Sequence, residues 1–146
     1  MRILVSIVCL AFSFSNASAG PKEDALQVVE NWMKLFSASD VEGITKLHSP
    51  DALFMGTGSK SVVVTMDGIQ KYFEPGLNRD KPRGASLVSY EAMPLSDTAV
   101  IVTGLDRLTG VKDGTAFARS GRVTFVVAKR GADWKIVHFH RSAMPD

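Results

Sequence analysis

The segment from Trp134 to Ser142 holds two histidines and an arginine among residues that favour a buried β-strand. In a regular strand, alternation sends Phe139 and Arg141 to one face and His138 and His140 to the other. Arginine suits carboxylate binding because its planar guanidinium donates two parallel hydrogen bonds and stays charged. Because polar and apolar groups occur on both faces, these residues are candidates for a pocket or a subunit interface.

His138 and His140 also form a His-x-His pair, an arrangement that can bind zinc or copper on a strand. Such a site needs a third or fourth ligand, and the only other histidine, His48, falls at the end of a distant predicted helix. We therefore predict no metal site. Gly56-Thr57-Gly58 lacks the further glycines of a phosphate-binding loop, so the sequence predicts no cofactor either.

Several acids and tyrosines could support acid–base catalysis if the fold brought them into one cavity. An isomerase or cyclase needs a base and a proton donor within hydrogen-bond reach of its substrate. The candidates are Asp51, Tyr72, Tyr90, Glu91 and Asp106. Their spacing forms no known pattern, so the catalytic residues stay unassigned. Asp106 could equally pair with Arg107 or Arg119 at the surface.

The first 19 residues have the layout of a secretory signal peptide. Arg2 precedes an apolar run from Ile3 to Phe14, and Ala17-Ser18-Ala19 supplies the small residues of a cleavage site. The apolar run is too short to span a bilayer as a helix. We expect cleavage after Ala19, a periplasmic or secreted protein, and no membrane attachment after cleavage. The single cysteine, Cys9, lies within this leader.

The charge of the chain is nearly balanced. It carries 17 Lys and Arg against 15 Asp and Glu, and the mature part contains no run of like charges. A protein that binds nucleic acid through its phosphates needs a concentrated basic surface, so we predict no nucleic acid partner. Residues 20–146 are long enough for one domain with a core of its own.

The first part of the mature chain is helical. Apolar residues recur at helical spacing from Lys22 to Ser37, and Asp40 is a good N-cap for a short helix that ends near Ser49. Thr65 is a good N-cap for a third helix, which we expect Pro75-Gly76 to stop. Between the second and third helices, Leu53–Gly58 and Lys60–Val64 read as two short extended pieces.

The second part of the chain is rich in β-strand residues. After a charged loop from Asn78 to Gly84, turn signals separate four predicted strands, at Ala85–Met93, Thr98–Thr109, Thr115–Arg130 and Trp134–Ser142. Helices followed by an antiparallel meander predict an α+β domain with the helices on a curved antiparallel sheet. A cavity between sheet and helices would take its apolar lining from Trp32, Phe36, Tyr72 and Phe73.

Together, these elements resemble the NTF2-like (SnoaL-like) cone fold. Within it, they are most similar to the association domain of calcium/calmodulin-dependent protein kinase II and its bacterial homologues. The most specific part is Val137-His138-Phe139-His140-Arg141-Ser142, followed by Pro145. Met66-Asp67, Tyr72-Phe73-Glu74 and Arg107-Leu108-Thr109 support it, and the likeness spans roughly Asp24 to Pro145.

The resemblance implies an arginine-lined cavity for a small anionic ligand, which Arg141 and Phe139 would line. It also implies self-association through the convex sheet, which would place His138 and His140 against a partner subunit. Arg107 and Arg141 match two of the cavity arginines by position, and the third is either Arg119 or Arg122. The chain has no kinase domain, so the resemblance implies no role in calmodulin signalling. Three functions stay open: an exported ligand-binding domain, a small cofactor-independent isomerase or cyclase, and a purely structural oligomerisation module.

Overall fold

The computed structural model describes residues 20–146, in which three helices pack against a five-stranded sheet. The helices are α1 (Pro21–Ser37), α2 (Val41–Leu47) and α3 (Met66–Arg79). The strands are β1 (His48–Met55), β2 (Gly84–Ser96), β3 (Ala99–Lys112), β4 (Thr115–Arg130) and β5 (Asp133–Ala143). The predicted leader lies outside the described residues. Within residues 20–146, no helix is long and apolar enough to cross a bilayer.

The sheet has the order β1-β5-β4-β3-β2. Strands β2 to β5 form the predicted antiparallel meander, whereas β1 pairs with β5 in parallel. The α+β class is therefore confirmed, but the sheet is mixed and not wholly antiparallel. Of the extended piece predicted at Lys60–Val64, only Val63 pairs, in a single bridge to Phe54.

Each helix begins where the sequence supplies a suitable start. Pro21 occupies the first turn of α1, where its missing N–H costs no hydrogen bond. The side chains of Asp40 and Thr65 accept hydrogen bonds from the backbone N–H groups of Gly43 and Gly68, and so cap α2 and α3.

Helix α3 runs past the predicted stop, because Pro75 lies inside the helix and not at its end. Proline in a helix removes one backbone hydrogen bond and usually breaks the helix. Here the extra turn carries Leu77, which is 1% exposed in the hydrophobic core. We attribute the continuation to this burial, which favours an ordered turn beyond the proline. The predicted loop therefore shrinks to the residues between Arg79 and Gly84.

A β-bulge in β5 changes the predicted alternation. His138 pairs with Val126, but the neighbouring Val127 pairs with Ile136, so Val137 is an extra residue. Ile136 is therefore buried on the helix-facing side with Phe139 and Arg141, whereas a regular strand would place it beside the histidines.

The core is an aromatic cluster under α1. Trp32 stacks on Phe36 and Phe139, with ring centroids 5.2 and 5.4 Å apart, and meets Phe73 and Phe125 edge on. The sheet supplies alternate residues of its three central strands, such as Val102, Phe125 and Phe139, to this core.

Candidate functional site

A cavity of about 470 Å³ lies between the helices and the sheet. Its aromatic lining consists of Trp32, Phe36, Tyr72, Phe73, Phe117 and Phe139, and its charged lining of Asp80, Arg83, Lys112, Arg119 and Arg141. A volume of this size is in the range of small-molecule sites. The cavity therefore combines a flat apolar wall with several fixed cations.

Arg141 lines the cavity, but its guanidinium is paired with a buried carboxylate. Its Nε and Nη2 atoms donate to the two carboxylate oxygens of Asp106 at 2.7 and 2.8 Å. Arg141 is 7% exposed and Asp106 is fully buried, so the pair is a desolvated, bidentate ion pair. The charge of Arg141 is therefore compensated within the protein.

The Asp106–Arg141 pair crosses an intervening strand at a glycine. Asp106 on β3 is the register partner of Gly121 on β4, which in turn pairs with Ala143 on β5. A Cβ atom on Gly121 would lie 2.6 Å from Cζ of Arg141 and 2.9 Å from the nearer carboxylate oxygen of Asp106. Only glycine leaves room for the ion pair above β4.

The remaining donors of Arg141 hold the wall of the cavity. Nη1 donates to the hydroxyl of Thr57 at 2.8 Å, and Nη2 also donates to the carbonyl of Arg119 at 3.3 Å. The backbone N–H of Gly58, next to Thr57, donates to the Tyr72 hydroxyl at 3.3 Å. Arg141 therefore ties the loop after β1 to strand β4.

Arg83 is a cavity cation that the sequence reading missed, because it falls in the charged segment predicted to be a loop. Its side chain is only 10% exposed, and its guanidinium lies over the rings of Phe36 and Phe117 at 5.0 and 5.2 Å. Burial lowers the pKa of Arg83, Asp80 opposes this effect, and nearby Arg119 adds to it. The only sequence signal for this role was the position of the arginine, next to the start of a predicted strand and between residues that favour turns.

The structure brings together only some of the predicted arginines. Arg119 and Arg141 line the cavity, as do the predicted wall residues Trp32, Tyr72 and Phe139. Arg107 and Arg122 are exposed on the opposite face, where Arg122 donates to the Ser142 hydroxyl at 3.2 Å. Strand alternation explains this correction, since Arg107 follows inward-facing Asp106 and Arg122 follows inward-facing Gly121. Of Arg119 and Arg122, Arg119 is the cavity residue.

The histidines differ in their surroundings. His138 and His140 lie on the outer sheet face, where burial and then the charge of His140 lower the pKa of His138. His48 is 1% exposed, and its Nδ1 donates to the carbonyl of Ile44 at 2.9 Å. Burial lowers the pKa of His48 to about 4, so its ring is neutral at pH 7. Within residues 20–146, no three potential metal ligands of the His, Cys, Asp and Glu types lie together.

The candidate acid–base residues are scattered. Asp51 pairs with Arg130 at the surface, and Tyr90 and Glu91 are exposed on β2. Asp106 is held by Arg141 inside the protein, so the alternative surface pairing with Arg107 or Arg119 is not formed. Tyr72 is the member of this set that lines the cavity, and Asp80 supplies a carboxylate that the set did not include.

Comparison with known proteins places this architecture in a recognisable group. A family model described as the SnoaL-like domain matches residues 25–146. The δ subunit of calcium/calmodulin-dependent protein kinase type II from Oryctolagus cuniculus is 27% identical over 85% of this chain and 24% of its own length. The α chain from Drosophila melanogaster is 26% identical over 95% of this chain and 28% of its own length. The chain thus spans about a quarter of these relatives.

Solved structures agree on the fold. A candidate association domain of the same kinase from Xanthomonas campestris has a TM-score of 0.78 and 23% identity, covering 93% of this chain and 99% of its own. A ketosteroid isomerase-like protein from Erwinia carotovora has a TM-score of 0.73 and 13% identity, covering 86% and 97%. The resemblance to the NTF2-like cone and to these association domains is confirmed.

Proposed function

This chain belongs to the SnoaL-like domain family, and we propose that it is a self-associating domain whose cavity binds a small organic anion. Fold alone does not assign a function, because this architecture carries different activities. The proposal therefore depends on the chemistry of the cavity and of the outer sheet face.

Unpaired donors in the cavity wall carry the proposal. Nε1 of Trp32 and Nε of Arg83 are buried and find no acceptor among residues 20–146. Both atoms can only donate hydrogen bonds. A buried donor without an acceptor costs about 1–3 kcal/mol, and a ligand with acceptor oxygens would remove that cost.

The charge balance of the cavity favours an anion over a neutral acceptor. Asp106 already compensates Arg141, which leaves Arg83, Lys112 and Arg119 as cations facing a single lining carboxylate, Asp80. The contact between Arg83 and Asp80 is 3.6 Å, longer than a hydrogen bond. A bound carboxylate would therefore meet an excess of positive charge.

Small carboxylates, with acetate, glutarate and benzoate as probes, test this function by titration calorimetry at low ionic strength. We expect at least one to bind with a dissociation constant in the micromolar to millimolar range. Arg119→Met is expected to weaken binding at least threefold. Arg122→Met removes an arginine three positions away on the opposite face, and should leave binding unchanged. Absence of binding to every carboxylate, or equal effects of the two variants, would contradict the proposal.

A cofactor-independent enzyme is the second candidate, because Tyr72 and Asp80 line the same cavity and could supply a proton donor and a base. The ketosteroid isomerase-like neighbour supports this reading only through the shared fold. Mass spectrometry and NMR of molecules that copurify with the protein distinguish the two functions. A binder releases its ligand unchanged after prolonged incubation, whereas an isomerase or cyclase leaves a mixture of substrate and product.

Self-association is supported by the relatives described as association domains and by an apolar row on the outer sheet face. The row crosses all five strands through consecutive register partners, which are Leu53, His138, Val126, Ile101 and Met93. We call it the outer row. Leu53 and Met93, at its two ends, are 50% and 58% exposed. A second copy of this chain would cover these apolar side chains.

Export is part of the same proposal and rests on the leader-like residues 1–19. Expression of the whole chain in a bacterial host, followed by intact mass measurement of the periplasmic fraction, tests it. We expect a mature protein that begins at Gly20. Recovery of the full-length chain from the cytoplasm alone would contradict export and leave the cavity assignment untouched.

A further inference from the structure

The guanidinium of Arg83 lines the cavity and has a donor without an acceptor in the described part of the chain. The guanidinium lies over two aromatic rings, and Nη1 points to Asp80 at a distance too long for a hydrogen bond. Nε is buried without an acceptor in the described part of the chain. A guanidinium presents pairs of parallel N–H groups, which match the two oxygens of a carboxylate.

The wall beside Arg83 is unusually rich in aromatic side chains. Six of the ten aromatic residues in the described range line this cavity. The rings of Trp32, Phe36 and Phe139 stack on one another and are at most 4% exposed, which leaves the partly exposed Tyr72 and Phe117 as the aromatic surface open to a ligand. Aromatic rings bind other flat rings by stacked or edge-to-face packing.

Phe117 joins the cationic and aromatic parts of the cavity. The guanidiniums of Arg83 and Arg119 lie 5.2 and 5.0 Å from its ring centroid. A ligand carboxylate near Arg83 would therefore also reduce the repulsion between these two cations. A carboxylate attached directly to a flat ring would place its charge at the guanidiniums and its apolar body against the rings.

We propose that the ligand is an aryl carboxylate whose carboxylate binds the guanidinium of Arg83 and whose ring packs against the partly exposed rings of Tyr72 and Phe117. This inference rests on the proposed function and narrows its ligand class. It makes Arg83, rather than Arg141, the residue that binds the anionic group. Phe117 becomes a determinant of the preference for a flat ring.

Titration calorimetry at pH 7 with three probes of similar size tests the need for the carboxylate and for the flat ring separately. Benzoate has the carboxylate and the flat ring, cyclohexanecarboxylate has the carboxylate on a puckered ring, and benzamide has the flat ring without the charge. We expect benzoate to bind at least fivefold more tightly than cyclohexanecarboxylate and at least tenfold more tightly than benzamide. Each of these ratios tests one chemical feature of the ligand.

Two variants test whether Arg83 binds the carboxylate and whether Phe117 determines the preference for a flat ring. Arg83→Lys keeps a positive charge but loses the two-donor edge, and we expect at least tenfold weaker benzoate binding. Phe117→Leu should retain carboxylate binding and reduce the preference for benzoate over cyclohexanecarboxylate to less than twofold. Arg107→Lys, on the outer face, is the matched control. Circular dichroism establishes that each variant is folded.

The outcomes separate this inference from the proposed function. Equal binding of benzoate and cyclohexanecarboxylate would overturn the aryl preference and leave the anion site standing. Equal binding of benzoate and benzamide would overturn the carboxylate assignment. Unchanged benzoate binding by Arg83→Lys would overturn the role of Arg83. A complete lack of binding by all carboxylates would refute the proposed function itself, and this inference with it.

Discussion

At the scale of single residues, His48 is the most unusual titratable group outside the cavity. It lies where α2 meets β1, with its ring edge on to those of Phe54 and Phe139. Because Nδ1 donates to the Ile44 carbonyl, Nε2 is the bare nitrogen of the neutral ring, and it has no donor among residues 20–146. Protonation would place a positive charge in these apolar surroundings, which explains why the pKa of His48 is lowered.

Because the pKa of His48 is lower in the folded chain than in the unfolded chain, the stability of the fold decreases as the pH falls. The pKa of His48 is about 4 in the folded chain and 6.5 in the unfolded chain, so the unfolded state binds the proton first as pH falls. We expect the free energy of unfolding to decrease by about 3 kcal/mol between pH 6.5 and pH 4 from this residue. His138 contributes in the same direction, since its pKa is also lowered.

Urea denaturation at several pH values measures this effect. His48→Phe removes the titrating group while keeping an aromatic ring, so its stability should fall much less over the same pH range. The residual slope belongs to His138 and the carboxylates. Identical slopes for the variant and the parent chain would contradict the assignment to His48.

The sequence predicted the chemistry of single residues better than their partners. Arg141 and Phe139 were placed on the cavity side correctly, because alternation within the end of one strand determines their common face. Asp106 was missed as the partner of Arg141 because that contact depends on the register of three strands. Arg83 was missed because only the packing of its loop against Phe36 and Phe117 brings it into the cavity.

At the scale of elements, the Asp106–Gly121–Arg141 contact links β3, β4 and β5. Substitution of Gly121 by alanine would force a methyl group against the guanidinium of Arg141, which could move away only by giving up its buried ion pair with Asp106. We expect Gly121→Ala to lower the free energy of unfolding by about 2–4 kcal/mol, through overpacking and a damaged buried ion pair. Chemical denaturation measures the change.

Gly76→Ala is the matched control for this substitution. A Cβ atom on Gly76 meets nothing within 4 Å, and the residue lies in α3. Alanine favours the helix by up to about 1 kcal/mol over glycine, so we expect unchanged or increased stability. A Gly121→Ala variant as stable as the parent chain would contradict the prediction and show that the Arg141 guanidinium can shift without loss of stability.

The helices and strands were predicted from local patterns. These predictions were wrong where longer-range packing determined the structure. The capping residues Asp40 and Thr65 located two helix starts because capping is a local hydrogen bond. Pro75 was misread because burial of Leu77 outweighs the local cost of proline. The bulge at Val137 has no sequence signal, since a β-bulge is defined by its partner strand.

At the scale of the whole molecule, the outer row is the surface through which we expect two copies to associate. Glutamate at Met93 and Leu53 would place charges at both ends of this row, and burial of unpaired charges is costly. We expect the Met93→Glu, Leu53→Glu double variant to weaken self-association at least tenfold in sedimentation equilibrium, with little change in the stability of the subunit.

Tyr90→Glu supplies the control for this experiment. Tyr90 is 47% exposed on the same edge strand as Met93, but it contributes to a groove on the helix side together with Leu26 and Met33. Its substitution should leave the association constant unchanged. A monomeric parent chain at micromolar concentration, or equal weakening by the two variants, would refute the outer row as the interface.

The fold class followed from the order of helices and strands, whereas the position of β1 could not be obtained in the same way. An apolar strand pattern indicates burial and does not identify the neighbouring strand. The mixed sheet therefore became visible only in three dimensions. The cavity lining likewise combines α1, α3, β3, β4 and β5, which no single motif connects.

The place of β5 between β1 and β4 affects how the chain folds during synthesis. Strand β1 leaves the ribosome early, but within residues 20–146 its only long partner is β5, which is made after the other four strands. Until β5 emerges, Phe54 and Trp32 lack the aromatic ring of Phe139 that completes their packing. Contacts between such distant residues slow folding, so we expect the nascent chain to stay loose and to depend on chaperones until β5 inserts.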